Sequence, residues 1–193
     1  MGKEKYQKNV ESLFEKSPVV RFSSIEKIIK HKKNIRQYTK QLIRNLILKG
    51  KIHKLGKGFY TKYDESSLAV FCFDGYLGLQ DALSFHNLWE QETIPVIITA
   101  NKARQGIRKV LGVNVLIRRI DRKYFFGFDY EKSGDFYFPY SDIEKTFIDM
   151  LYFKQPLDRE LIKNFKKAID KKKLKQYLKS YPQRFGERVA RAL

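Results

Sequence analysis

Near the start of the chain, apolar residues recur at helical spacing in three short stretches. Val10, Leu13 and Phe14 predict a first helix over about residues 4–16, and Ser17-Pro18 stops it, because a residue before proline is pushed out of the helical region. Val19, Val20 and Phe22 then read as a short extended piece. Ser23 or Ser24 is placed to cap a second helix, whose buried face would be Ile25, Ile28 and Ile29. His31-Lys32-Lys33-Asn34 reads as a polar turn. A third helix runs from about Ile35 to Lys49, with Ile35, Tyr38, Leu42, Leu46 and Ile47 as its apolar stripe and Gly50 at its end.

After Gly50 the period changes from helical to alternating. Residues 51–55 predict one strand, Gly56-Lys57-Gly58 a tight turn, and residues 59–63 the return strand, with Phe59 and Tyr60 anchoring the hairpin in the core. Three helices followed by a basic, glycine-turned hairpin is the order of a winged helix-turn-helix, assigned to residues 1–66. Residues 67–193 read as a mixed α/β body. It has a strand or buried segment over 68–77, a helix over 79–88, and strands over 95–99, 113–120, 124–130 and 135–139. A helix follows over 143–153. From about residue 158 the pattern is one or two Lys-rich amphipathic helices interrupted at Pro182. The fold class expected is α+β, a helical head followed by a mixed body.

Charge sharpens this picture. The net charge is +19. Residues 1–66 hold 17 Lys/Arg against 6 Asp/Glu, residues 67–158 hold 11 against 12, and residues 159–193 hold 12 against 3. Two basic ends around a near-neutral middle point to a polyanionic partner, with duplex DNA favoured over a membrane. Aromatics at 15% supply enough apolar surface for a core. The single Cys72 excludes an internal disulfide framework and fits a reducing cytoplasm. The polar N-terminus carries no secretory pattern, and the longest apolar run is about six residues, too short for a membrane span.

A recognition helix needs one apolar face and one face of groove-reaching side chains. Opposite the expected stripe of the third helix lie Arg36, Gln37, Lys40, Gln41 and Arg44. Arg forks onto guanine, Gln pairs with adenine, and Lys clamps phosphate. The hairpin and its flanks add Ser24, Lys32, Lys33, Lys54, Lys57 and Lys62 as backbone contacts, with Lys57 at the turn tip. Lys167, Lys171, Lys172 and Lys175 form a second basic surface, facing either DNA or an acidic protein.

Catalytic signals are sparse. His31, His53 and His86 are scattered, there is one cysteine and no phosphate loop, and no metal or cofactor is expected. Asp129, Glu131 and Asp135 would be the metal cluster of a nuclease, but they sit among turn residues and read as solvated. Glu144 and Asp149 beside Lys145 read as structural. A protein-binding adaptor built on the same head is the remaining alternative.

Two blocks behind the head carry a family resemblance. Gly58-Phe59-Tyr60 followed by residues 75–88 (GYLGLQDALSFHNL), then Pro95 to Thr99, then residues 143–151 (IEKTFIDML), resembles the AbiEi-type antitoxins, predicted regulators of abortive-infection and type IV toxin–antitoxin systems. The resemblance spans roughly residues 10–155. Asn87 stands where that pattern has glycine, and Ile143 where it has proline. The resemblance implies a non-catalytic repressor that binds an inverted-repeat operator in its own promoter. It also implies a body that counteracts a nucleotidyltransferase-like toxin.

Overall fold

A computed structural model describes residues 3–30, 33–91 and 93–193. The protein is mixed α/β and divides into two compact units, one of residues 1–72 with 109–113, the other of residues 73–108 with 114–193. The boundary expected after residue 66 lies inside the first of these.

The first unit runs α1 (Lys3–Lys16), β1 (Val20–Arg21), α2 (Phe22–Ile28), α3 (Ile35–Leu48), β2 (His53–Gly56) and β3 (Phe59–Thr61). Its three strands form an antiparallel sheet in the order β1-β3-β2. Val10, Phe14, Val20, Ile25, Ile29, Leu42, Ile43, Leu46 and Ile52 make one buried cluster, and Tyr60 packs against it. Removing these side chains from water is what holds three short helices together, since none is long enough to be stable alone.

Two local expectations are corrected. Helix α2 begins at Phe22, so Ser23 and Ser24 lie inside its first turn, and no side chain caps it. Its first amide is held instead by the hairpin, the Phe22 N–H donating to the Gly58 carbonyl at 2.8 Å. In α3 the buried positions are Thr39, Leu42, Ile43 and Leu46, while Ile35 and Ile47 are each 38% exposed and Tyr38 is half-buried. The stripe keeps helical spacing but is rotated from the expected one. Thr39 can sit in the core because its hydroxyl donates to the Ile35 carbonyl one turn back, at 2.8 Å.

The second unit holds all but residues 109, 110 and 113 of a six-stranded mixed sheet with the order β6-β7-β5-β4-β9-β8. Its strands are β4 (Tyr76–Leu77), β5 (Val96–Thr99), β6 (Gly106–Val110), β7 (Val113–Arg119), β8 (Phe128–Ser133) and β9 (Phe136–Ser141). The segment expected as a strand or buried segment over 68–77 is buried at Leu68, Ala69, Val70, Tyr76 and Leu77, but it is a strand only at β4, after a 3-10 turn (Ser66–Ala69) and a short helix α4 (Val70–Phe73). Strand β6 was not anticipated. Helix α5 (Gln80–Phe85) ends at Asn87, whose φ of 54° is left-handed, and Leu88 N–H closes back on the Leu83 carbonyl at 2.9 Å. Helix α6 (Ile143–Tyr152) is buried from Glu144 to Met150. The tail is three helices, α7 (Arg159–Ala168), α8 (Lys171–Leu178) and α9 (Gln183–Ala192), with Pro182 at the start of the last. Tyr76, Val96 and Ile98 of the sheet join Phe147, Ile148 and Met150 of α6 and Leu161, Phe165, Leu174 and Val189 of the tail in one core cluster.

At the centre of that core sits an ion pair. Lys145 Nζ donates to Asp149 Oδ1 one helical turn on, and both side chains are fully buried. The Tyr76 hydroxyl donates to Asp149 Oδ2 at 2.7 Å, and the ammonium lies 5.5 Å from the Tyr76 ring centre and 5.6 Å from that of Phe126. Gly127, at φ +75°, packs on the lysine stem, where any Cβ would lie 2.9 Å from Lys145 Cβ. Burial pulls the ammonium below its usual pKa and pushes the Asp149 carboxyl above its own, and each partner's charge opposes the shift of the other. Such a pair contributes little net stability, but removing one member strands a charge in the core. Lys145→Met is therefore expected to lose about 3–5 kcal/mol in urea unfolding, and Lys145→Met/Asp149→Leu to recover most of that. An unchanged midpoint in the single variant would show that the pair carries no such constraint.

Candidate nucleic-acid interface

Helix α3 owes its outer face to its inner one. With Thr39, Leu42, Ile43 and Leu46 in the core, Arg36, Gln37, Lys40, Gln41 and Arg44 are all exposed. The helix contains no acidic residue. Among the described residues none of these five has a hydrogen-bond or ion-pair partner. Arg36, Lys40 and Arg44 follow one another at four-residue steps, a cationic ridge about 12 Å long at 1.5 Å per residue. Gln41 stands apart from that ridge. It lines a groove of about 410 Å³ with Tyr38, Asn45 and residues of α1, including Gln7 and Glu11. Leu48, at 74% exposure, is an apolar side chain on the last turn that the sequence pattern did not single out.

The hairpin β2–β3 turns at Lys57-Gly58, with Gly58 at φ +80°. A bulge at Leu55 shifts the register, from Lys54 opposite Tyr60 to Gly56 opposite Phe59, and lets the Leu55 side chain turn inward. Lys54 and Lys57 are exposed, as is Lys33 in the turn before α3. Lys32, also expected to contact backbone, lies outside the described residues.

Two expected contacts stand elsewhere. Ser24 is half-buried within α2. Lys62 is turned onto α1, where its ammonium donates to Glu15 Oε2 at 2.6 Å and lies 5.2 Å from the Tyr63 ring centre. The hydrogen bond to Glu15 raises its pKa. Lys51 is engaged in the same way by Glu11, whose carboxyl that bond draws below its usual range. Arg21, not anticipated, lies over the Phe59 ring at 5.3 Å on the neighbouring strand.

In the tail, Lys167, Lys171, Lys172 and Lys175 are exposed. The last three fall within about 100° of arc on α8. Lys171 and Lys175 rim a groove of about 500 Å³ whose walls include Ile169, Leu174 and Leu178. Lys173 faces inward instead, 3.0 Å from Asp142 and 3.5 Å from Glu144, and its pKa is raised by the hydrogen bond to Asp142 despite the opposing pull of burial. Asp129, Glu131 and Asp135 are exposed, and no group of three or more His, Cys, Asp or Glu placed to hold a metal exists among the described residues. No helix among them is long and apolar enough to cross a membrane.

The molecule is thus a mixed α/β protein of two units, with a cationic helix face in the first that has no hydrogen-bond or ion-pair partner among the described residues. Among solved structures it is similar to the crystal structure of RV2827C protein from Mycobacterium tuberculosis, with a TM-score of 0.60 and 12% sequence identity, covering 97% of this chain and 76% of that one. At that identity the likeness is one of fold. No known family profile and no curated protein sequence matches the chain.

The hairpin geometry is open to a direct test. Gly58→Ala places a side chain at φ +80°. It should cost about 1–2 kcal/mol, read as a lower urea midpoint. An unchanged midpoint would mean that the turn relaxes to another form.

Proposed function

We propose that the first unit is a winged helix-turn-helix and that the protein is a sequence-specific, duplex-DNA-binding transcription regulator. In this reading α3 enters the major groove and the β2–β3 hairpin is the wing. The observation that carries it is the face of α3, where Arg36, Gln37, Lys40, Gln41 and Arg44 are exposed and, among the described residues, without partners. The element order α1-β1-α2-α3-β2-β3 and the strand order β1-β3-β2 support the same reading. Arg36 and Arg44 carry the forked donors that fit guanine edges, Gln37 and Gln41 the amides that fit adenine, and Lys40 a phosphate clamp. Lys33, Lys54 and Lys57 are exposed where a backbone would pass.

Within that class, the resemblance to AbiEi-type antitoxins favours an autorepressor of an inverted-repeat operator whose body counteracts a nucleotidyltransferase-like toxin. The backbone at Asn87 supports it: where that pattern has glycine, this chain adopts a left-handed φ of 54°, which Asn tolerates better than most residues.

The test is footprinting and gel-shift titration on the DNA upstream of the protein's own reading frame. Affinity should fall with salt at a log–log slope of about −0.9 per neutralised phosphate. Arg36→Ala or Arg44→Ala should cost about 1–3 kcal/mol on the preferred site and relax base preference. Lys57→Ala should weaken all sequences alike, and Lys62→Ala should weaken binding less than Lys57→Ala because Glu15 already engages its ammonium. Unaltered preference in both arginine variants would remove α3 as the reading element.

A further inference from the structure

Summed along the chain, residues 67–158 are almost neutral, but the charge is not evenly spread. Residues 101–123 hold eight Lys/Arg and one acid, Asp121. Five of those eight are arginine, in a chain where arginine supplies only 12 of 40 cations. A lysine-rich background therefore does not account for them, and arginine is the residue that meets phosphate with a planar fork.

The topology gathers these cations at one end of the sheet. Strands β5 and β7 run parallel, with Thr99 opposite Arg119, so both leave the sheet on the same side. Strand β6 starts there, since it returns into β7 through the two-residue turn at Leu111-Gly112. The loop between β5 and β6 is pinned. Gln105 Oε1 accepts the Arg119 N–H at 3.1 Å, Arg108 donates to the Arg104 carbonyl at 2.6 Å, and Asn101 donates to the Phe73 carbonyl at 3.2 Å. On this fixed backbone Lys102, Arg104, Arg119, Arg122 and Lys123 are all exposed. Among the described residues the first four have no carboxylate within ion-pair distance, and Lys123 reaches Asp121 only at 3.9 Å, with both side chains about 60% exposed. Arg118, next along β7, keeps a buried Nε with no hydrogen-bond partner among the described residues.

We infer that this sheet end is a second DNA-binding surface, one that grips the phosphate backbone and reads no bases. Five cations spread over a loop, a strand end and the turn after it suit an extended polyanion better than a single small anion, and the two amides among them, Asn101 and Gln105, are tied to backbone groups of the protein rather than held out for base edges. The choice of duplex DNA as that polyanion rests on the reading of α3 given above.

The experiment measures, with the full chain, how affinity for the preferred duplex and for a scrambled one changes with salt. Arg104→Ala/Arg119→Ala/Arg122→Ala is compared with a charge-matched control on exposed lysines elsewhere, Lys132→Ala/Lys163→Ala/Lys179→Ala. The sheet-end variant should flatten the log–log slope by about 2–3 on both duplexes, at about 0.9 per lost phosphate contact, with the ratio of specific to scrambled affinity unchanged. The control should keep the wild-type slope. Lys102→Glu/Lys123→Glu, confined to the loop and the turn after β7, should act in the same direction, so the result does not hang on one variant folding. Equal slopes for the sheet-end variants and the control would overturn the inference. If Arg36→Ala/Arg44→Ala still abolishes base preference in that series, the α3 reading survives alone. A flattened slope with no effect of the α3 variants would leave the sheet-end surface standing and remove the α3 reading. Failure of the wild-type protein to bind either duplex would end both.

Discussion

What the first unit presents to its surroundings is decided by which side of α3 is taken up by the core. Leu42, Ile43 and Leu46 share one buried cluster with Val10 and Phe14 of α1, Ile25 of α2 and Ile29 just past its end, and Thr39 is buried as well. A helix has only one circumference. Committing that arc to apolar contact leaves Arg36, Lys40 and Arg44 exposed outside it, where no carboxylate of α3 can neutralise them. The hairpin is fixed to the same framework through Tyr60, packed on the core, and through the Gly58 carbonyl, which holds the first amide of α2. The cationic face and the turn lysine are therefore properties of one packed body rather than of separate flexible segments.

The sequence pattern located α3 to within a residue at its end and identified Leu42 and Leu46 as buried, but it gave Ile35, Tyr38 and Ile47 in place of Thr39 and Ile43, and Thr39 is the residue that misleads. Counted as polar, it broke the 39-42-43-46 repeat and shifted the reading to Ile35 and Ile47. In the folded chain its hydroxyl is satisfied by the Ile35 carbonyl, so the residue behaves as a small core side chain. The outward residues were still legible, because charged groups are excluded from either version of the stripe. The serine cap of α2 failed for a different reason: a tertiary hydrogen bond from the hairpin supplies what a local side chain was expected to supply. Nothing in the order of residues announces that.

In the second unit, β5 and α6 were readable from dense apolar runs, whereas β6 was not. Gly106-Ile107-Arg108-Lys109-Val110 alternates, but its cations hide an edge strand from a search for hydrophobicity, and Ile107 is 64% exposed. The same blindness affected charge. Block sums treat acids and bases as if they met, yet Lys62 and Lys51 are engaged on α1 and Lys173 beside α6, while the cations of residues 101–123 meet almost no acid. The Lys145–Asp149 pair was legible, because a turn of helix separates them and both lie in an apolar run.

The fate of the acids completes the electrostatic account. Asp142, Asp158 and Asp170 accept first-turn amides of α6, α7 and α8, and Glu65 does so for the turn before α4. Such caps stabilise a helix by about 1 kcal/mol each. Asp81 accepts the Val96 amide, Glu144 accepts the Asp170 amide, Asp149 is buried against Lys145, and Glu11 and Glu15 hold lysines of the first unit. A large share of the 21 carboxylates is thus fastened to backbone amides or to particular cations. A carboxylate fixed in that way cannot swing out to screen a neighbouring arginine. The exposed cations on α3, at the sheet end and on α8 are consequently less compensated than a net charge of +19 averaged over the surface would suggest. Among the described residues, partner binding at those places has at most the loose Lys123–Asp121 pair, at 3.9 Å, to break first, which is the condition under which counterion release from a polyanion translates into affinity.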